Sequence, residues 1–321
     1  LRALVPGVPL APVDGDDLGA TMQRFDPLRK EADERKVAAE EQSKELEARA
    51  RAAFAEQGID YDAQVAKAKL AAAGPPRFKA KPHLAQMRGL AAAAREAGAP
   101  MPEIEAKLAD PAYEAELVEQ ELRLLDLYRT QGHLQEPVGQ AGSSASDLAR
   151  AEVLAASQAG ASLAERDFTG IDFSGLDLSG VDLSRALLES TLWHGTKLCG
   201  AQLAGAMLAH ADFEGADVSG ADLTRANLGG ARLAGARFDA ADLSEAVFIG
   251  AHIERSTFAR TKLERIQMLD VTFGPGTQLD GCLGHQVFVM KTDLRAVSFV
   301  GATLTQSNLL ECDASGCDFS G

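Results

Sequence analysis

Cysteine is scarce in this 321-residue chain, which has four: Cys199, Cys282, Cys312 and Cys317. Four cannot staple a chain of this length, and they form no CxxC pair and have no histidine at metal-ligand spacing. They read as free thiols of a reducing compartment, so the expected location is cytoplasmic. Long apolar runs are missing as well, and none approaches the ~18 residues of a membrane-spanning helix. The opening LRALVPGVPLAP is broken by Pro6, Pro9 and Pro12 and makes a poor secretory signal. It also lacks an initiator methionine, as expected of a fragment or a processed chain. Basic charge is short, with 32 Lys and Arg against 47 Asp and Glu for a net charge of -15. A duplex-binding protein concentrates basic charge on one face, so direct nucleic-acid binding is disfavoured. What is present, 46% hydrophobic and 25% charged residues, describes a folded chain long enough for two domains.

The first half is alanine-rich and charged. Residues 1–15 read as an extended Pro-rich segment and residues 16–132 as a helical region. Asp26-Pro27 is a cap and first-turn pair, opening a helix to about Gln57 with Gly58 as its stop. Its few large apolar residues, Leu28, Val37, Leu46 and Phe54, fit either a solvated helix or a coiled-coil arm. Further helices are expected over 60–73, stopped by Gly74-Pro75-Pro76; over 82–97, stopped by Gly98; and over 111–131, followed by Gly132. The last is the most amphipathic, with Leu117, Leu122, Leu124, Leu125 and Tyr128 on one broad face. Residues 133–162 read as a linker, HLQEPVGQAGSSAS, and then a short capping helix, DLARAEVLAASQ, with Ser146 as its cap.

From Leu163 a bulky residue recurs at every fifth position for 23 consecutive centres, to Phe273, and 19 of them are Leu or Phe. After GPGT the phase moves by one, and nine more centres run from Leu279 to Phe319, with only Gly284 and Ala314 lacking bulk. The position two before each centre is small or β-branched almost throughout, Arg166 and Leu176 excepted. It is alanine eleven times in succession, from Ala201 to Ala251, and Cys282, Cys312 and Cys317 share it. On an α-helix successive centres would lie about 140° apart and spiral around the rod. On a strand an odd period would throw alternate centres to opposite faces. All centres stay inside only if the chain turns once per repeat, the mark of a solenoid whose coils are stable when stacked.

The units ADLTR, ANLGG, ARLAG, ADLSE and VDLSR resemble the A(D/N)LXX motif of the pentapeptide-repeat family, and the resemblance covers roughly residues 163–321. It implies a right-handed quadrilateral β-helix with four pentads per coil, its interior filled by the centre and minus-two side chains. Eight such coils would make a rod of about 40 Å. The expected fold class is therefore α+β, an α-helical N-terminal region followed by that solenoid. Glycine at plus-two suits a corner, yet Arg225, Glu245 and Arg255 hold the same place, so glycine is not obligatory there. The phase break at Gly274-Pro275-Gly276 reads as a one-residue bulge at a corner. Around Trp193, in LLESTLWHGT, Leu187 and Leu192 replace the usual Asp or Asn. That fits either a bulge with an exposed apolar patch or a repacking near the start of the stack.

No catalytic constellation emerges. His83, His133, His194, His210, His252 and His285 are scattered, and the minus-one aspartates are accounted for by bonds to nearby backbone. GPGTQLDG lacks the Lys-Ser/Thr of a phosphate loop. No catalytic, cofactor-binding or metal-ligating residue is named, no cofactor is expected, and the chain is read as not an enzyme. Taking every twentieth residue, the column Asp167, Leu187, Met207, Asn227, Val247, Gln267, with Ile249 and Leu269 beside it, is the least polar outer face. Leu187, Met207, Val247, Ile249 and Leu269 are the candidate partner-binding residues. The alternative is that this face docks the chain's own helical half.

The expected function is a protein-binding scaffold without direct contact to nucleic acid or membrane. Domain order supplies a second resemblance. A helical Ala/Glu/Arg-rich segment joined to a pentapeptide tail ending in LLECDASGCDFSG is similar to part of longer bacterial proteins associated with type VI secretion. That implies an adaptor or accessory linking a secretion effector to the spike, and no residue role transfers with it. The alternative is DNA mimicry, since some members of the pentapeptide-repeat family resemble B-DNA and inhibit topoisomerases such as gyrase. Residues 161–321 hold 21 acidic and 12 basic side chains, compatible with that. However, Arg225, Arg232, Arg237, Arg255, Arg260, Lys262 and Arg265 form a basic band that would interrupt a phosphate-like track.

Overall fold

The computed structural model describes residues 41, 44, 48–52, 54, 55, 60–64, 73–295 and 297–321. The chain divides into two compact units, Leu1–Ala68 and Lys69–Gly321. The Pro-rich segment 1–15 and the helix start at Asp26-Pro27, with Leu28, Val37, Leu46 and the stop at Gly58, lie outside the described residues. Within the first unit, Arg51 pairs with Asp62 at 2.7 Å and lies over the Tyr61 ring, which meets Phe54 edge-on at 5.6 Å.

The second unit begins with three helices, α1 (Ala80–Glu96), α2 (Pro102–Ala109) and α3 (Pro111–Gln131). Ala80, Leu84 and Leu117 form their shared core, with Phe78, Leu108, Tyr113 and Val118 packed against it. Asp110 caps α3 by accepting from the Ala112 N–H at 2.9 Å. Glu121 Oε2 accepts from the Ala80 N–H at 2.8 Å, so α3 closes the start of α1. Helix α3 has the bounds expected of it. Helix α2 was not expected, and none of its eight residues is buried. Leu122, expected on the buried face of α3, is exposed instead.

A 3-10 turn, Gly132–Leu134, follows α3, and α4 spans Ser143–Ala159. The cap expected at Ser146 is corrected: α4 starts four residues earlier, after Gly142, and the Ser146 Oγ accepts from the Asp172 N–H at 3.3 Å instead. Arg150 Nη1 donates to the carbonyls of Asp172 and Ser174 at 3.2 and 3.0 Å. Ala149 and Val153 join the core of the first coil. Helix α4 thereby covers apolar surface and strand edge that an open coil end would expose.

From Leu163 the chain forms stacked twenty-residue coils. Minus-one residues bridge in parallel to their counterparts twenty positions on, as in Asp167↔Leu187, Leu187↔Met207, Met207↔Asn227 and Asn227↔Val247. The Phe168 N–H donates to the Leu187 carbonyl above, and the Leu187 N–H donates to the Arg166 carbonyl below, each at 2.8 Å. Centres such as Leu183, Leu223 and Phe248 and the alanines from Ala201 to Ala251 lie in one continuous core. Each minus-one aspartate turns its Oδ1 to the N–H two residues on, as at Asp172, Asp217 and Asp242. Where a hydroxyl replaces the small residue, it donates to a backbone carbonyl: Thr196 and Thr261 reach the coil below, to Phe173 at 2.9 Å and Phe238 at 2.8 Å, while Thr191 stays within its own coil, on Leu188 at 2.6 Å. The plus-two backbone is left-handed even without glycine, with φ of 59° at Arg225 and 62° at Glu245.

Ala221, 1% exposed, leaves room for the bulky ladder beside it. Ala221→Leu should overpack this interior and cost about 1–3 kcal/mol. Thermal melting followed by circular dichroism checks this, and an unchanged midpoint would mean that the interior has slack.

Beyond Ala251 the bridges lengthen into short strands. These are β1 (His252–Ile253), β2 (Gln267–Leu269), β3 (Thr272–Phe273), β4 (Thr277–Gln278), β5 (Leu283–His285), β6 (Phe288–Met290), β7 (Val297–Ser298), β8 (Thr303–Thr305) and β9 (Asn308–Leu310). They pair in parallel as β1-β3, β2-β6-β9, β4-β7 and β5-β8. Here the register carries one extra residue: Thr257↔Gln278 and Gln267↔Phe288 are twenty-one apart, and Thr277↔Val297 restores twenty. The added residue sits at the Gly274-Pro275-Gly276 corner, where the Arg255 N–H donates to the Pro275 carbonyl at 3.2 Å. Trp193 is fully buried between Phe173 and Phe213, with ring centroids at 4.9 and 5.8 Å, and its Nε1 donates to Thr191 Oγ1 at 2.7 Å. The LLESTLWHGT stretch is therefore a repacked interior and not an exposed bulge.

Candidate binding face of the coil stack

One outer face of the stack differs from the others. Its minus-one column runs Asp167, Leu187, Met207, Asn227, Val247, Gln267, and its plus-one column runs Thr169, Glu189, Ala209, Gly229, Ile249, Leu269. The chain's own α3 covers the lower part. Tyr128, Leu187, Met207 and Ala209 form a second buried cluster, with Leu125 against it. The chain climbs the face as it goes. Asp126 pairs with Arg185 at 2.9 Å, Gly132 lies so close to the Met207 methyl that a Cβ would overlap it, and His133 sits on Gly229 just as tightly. One helical turn, Tyr128 to Gly132, spans one coil, because the 5.4 Å helical pitch is close to the roughly 4.8 Å coil spacing.

Polar groups are buried under this contact. Glu189 is fully buried, with the Tyr128 hydroxyl donating to it and the Val138 backbone N–H turned toward it. Burial raises the Glu189 carboxyl above its ordinary range and also raises the Tyr128 phenol, which the neighbouring carboxylate pushes further. Arg129, 8% exposed, donates from Nε to the Arg185 carbonyl at 3.0 Å and pairs with Asp126 at 3.1 Å. Burial lowers its pKa, and Arg185 lowers it further. Asn227 Nδ2 donates to the Arg129 carbonyl at 2.9 Å and lies 3.0 Å from His133 Nδ1. Burial lowers both His133 and His210, and in His133 the nearby His210 adds to the effect.

The five sequence-derived residues thus divide. Leu187 and Met207, offered as partner-binding, are corrected: they are 3% and 0% exposed because this chain's own helix occupies them. Val247, Ile249 and Leu269 lie higher on the same face and are half-buried. Glu189 and His133 were missed, since an outward Glu reads as solvated and a linker His as surface, while Tyr128 was expected on the apolar face of its helix without a partner. The signal was the column itself, whose apolar members called for a cover.

Chemistry elsewhere is sparse. His194, Asp212 and Glu214 bring one potential ligand atom each within 4.8 Å of one another, because stacking sets residue 194 beside residue 214. Asp212 Oδ2 already faces His194 Nε2 at 3.3 Å and Arg232 Nε at 3.4 Å, so a charge ladder accounts for the group. The coil interior holds an apolar void of about 20 Å3 among Met268, Phe273, Leu279 and their neighbours, too small for a substrate. Burial pushes the Cys282 thiol up to about 11, so it acts as packing rather than as a nucleophile. The basic band is largely self-neutralised: Arg225 and Arg265 share Glu245, and Lys262 pairs with Asp242 at 3.1 Å.

Fold and face together define a repeat protein that presents side chains on stacked coils. The family model for pentapeptide repeats matches in eight copies, over residues 159–191, 194–225, 221–265 and 291–321. The matched segments fall on the stacked coils, which are thus similar to pentapeptide repeats. Similar solved structures include HetL, a pentapeptide repeat protein involved in heterocyst differentiation regulation from the cyanobacterium Nostoc sp. strain PCC 7120. It is 23% identical, with 53% of this chain and 92% of that one covered and a TM-score of 0.28. Rfr23, from the cyanobacterium Cyanothece 51142, is 15% identical over 53% and 98% of the two chains, with a TM-score of 0.19. QnrB1, a plasmid-mediated fluoroquinolone resistance protein, is 20% identical over 46% and 71%, with a TM-score of 0.22. At such TM-scores these likenesses carry no weight for function. No curated protein matches the chain. Among the described residues no helix is long and apolar enough to cross a membrane.

Proposed function

We propose that this protein is a non-enzymatic protein-binding scaffold, its coils wound as a right-handed quadrilateral β-helix and its partner received on the apolar outer face. The observation that carries this reading is the division of that face: its lower part is sealed by α3, while Val247, Ile249 and Leu269 above it stay half-buried. Val247→Glu should abolish co-purification of a partner from the native host while leaving the melting temperature unchanged. Retention of the partner in that variant would remove this face from the reading.

The specific role we favour is an adaptor or accessory for effector loading in bacterial type VI secretion. It is supported by the order of a helical Ala/Glu/Arg-rich region followed by a pentapeptide tail. The second reading, a DNA-mimicking gyrase inhibitor, is supported by the excess of 21 acidic over 12 basic side chains in residues 161–321. It expects inhibition of gyrase supercoiling at micromolar protein, and no inhibition there would discard it.

A further inference from the structure

The apolar face does not stop at Leu269. Because of the extra residue at the Gly274-Pro275-Gly276 corner, its columns continue at 288 and 290 and then at 308 and 310, in the sheet β2-β6-β9. Phe288 and Met290 are half-buried and Leu310 is 48% exposed. Val247, Ile249, Leu269, Phe288, Met290 and Leu310 thus form one stripe over four rungs, beginning where His133 ends on Gly229. The other minus-one columns of these coils are more polar: Arg232, His252 and Thr272 on one, Arg237, Thr257 and Gln278 on another, and Asp242, Lys262, Leu283 and Thr303 on the third, where Leu283 alone is apolar.

We propose that this stripe receives an amphipathic α-helix of a partner protein, lying along the stack in line with α3; the proposal rests on the scaffold reading above. Continuity with the α3 interface identifies the kind of occupant. On the lower half of this same face a helix already climbs one coil per turn. Four rungs at about 4.8 Å span roughly 15 Å, which a helix of about ten residues covers with apolar side chains at i, i+3 or i+4, and i+7. A strand is a poor occupant. The backbone groups of β2, β6 and β9 are directed to neighbouring coils, as in the Phe288 N–H to Ile266 carbonyl bond at 3.1 Å, so the face offers side chains alone. The rim carries both signs, with Arg265 paired to Glu245 on one side and Asp270, Lys291 and Glu311 on the other. A mixed-charge polar face on the helix suits it.

The test is selection of a displayed library of random 16-residue peptides on the full chain. Enriched peptides should carry the i, i+3/i+4, i+7 apolar pattern. They should bind at least tenfold more weakly to Leu269→Glu and to Met290→Glu, and equally well to Asp222→Asn on another face. Both test positions lie at the surface, and unchanged circular-dichroism melts establish that the variants fold; Phe288→Lys replaces either one that does not. Three results would overturn the proposal: enriched peptides with alternating or Pro-rich patterns, binders indifferent to the stripe variants, or sedimentation showing a dimer that Leu269→Glu dissociates. If no helix is selected while Val247→Glu still releases the host partner, the helix assignment falls and the scaffold reading stands.

Discussion

Trp193→Ala should lower the melting temperature of the coil stack more than any surface change. The indole is wholly buried, tilted against Phe173 and stacked at 12° on Phe213, so its loss opens a cavity between those two rings. Large-to-small aromatic substitutions of this kind cost about 3–5 kcal/mol. For a unit of this size that is a fall of roughly 6–20 °C. The change also deprives Thr191 Oγ1 of the indole N–H, although that hydroxyl keeps its own bond to the Leu188 carbonyl at 2.6 Å. Trp193→Phe keeps most of the stacking and should recover more than half of the loss. A melt of Trp193→Ala within a degree of the parent would mean that the aromatic ladder contributes little.

The second large effect lies beneath α3. Tyr128→Phe removes the hydroxyl that donates to the buried Glu189 and should cost about 1–3 kcal/mol of docking. Since about 1.4 kcal/mol is tenfold, amide exchange in the last two turns of α3 should quicken by about 5- to 140-fold. The double change Tyr128→Phe with Glu189→Leu should restore much of it, because no charge is then left without its donor. The pH dependence has two opposed limbs. Glu189 is raised, so its contribution is intact below the ordinary value of 4.5 and is lost as pH rises through its higher folded value. His133 and His210 are lowered, so theirs is intact above 6.5 and is lost as pH falls toward their folded values. Glu189→Gln deletes the first limb. In that variant α3 exchange should only quicken as pH falls below 6.5, and quickening toward alkaline pH beyond the intrinsic amide rate would refute the assignment of that limb to Glu189.

Much of this molecule was legible without coordinates, for identifiable reasons. A five-residue period has no helical or strand solution, so the centres and the alanines beside them announced an interior. The bounds of α3 followed from Pro111 at its first turn and Gly132 at its end, although Gly132 keeps a right-handed backbone and lies against the Met207 methyl. Helix α2 escaped because Pro102–Ala109 offers no buried stripe to detect. Ser146 looked like a cap because local rules cannot see that its hydroxyl is claimed by Asp172, 26 residues away. The candidate face was half-legible. Reading every twentieth residue found Leu187 through Leu269, but the same rule carried past the glycine corner lands off the column and loses Phe288, Met290 and Leu310.

That corner shows how this architecture handles insertions. One added residue is absorbed where the backbone already bends, and Val297 again stands twenty beyond Thr277. A whole added pentad would behave otherwise. It would fit the stack without strain and carry everything downstream a quarter-turn around the axis. Length in such a chain acts as an angle: deleting five residues between Gly229 and Val247 would leave the stripe intact yet facing away from α3, whereas inserting a whole twenty-residue coil there would keep the two in line.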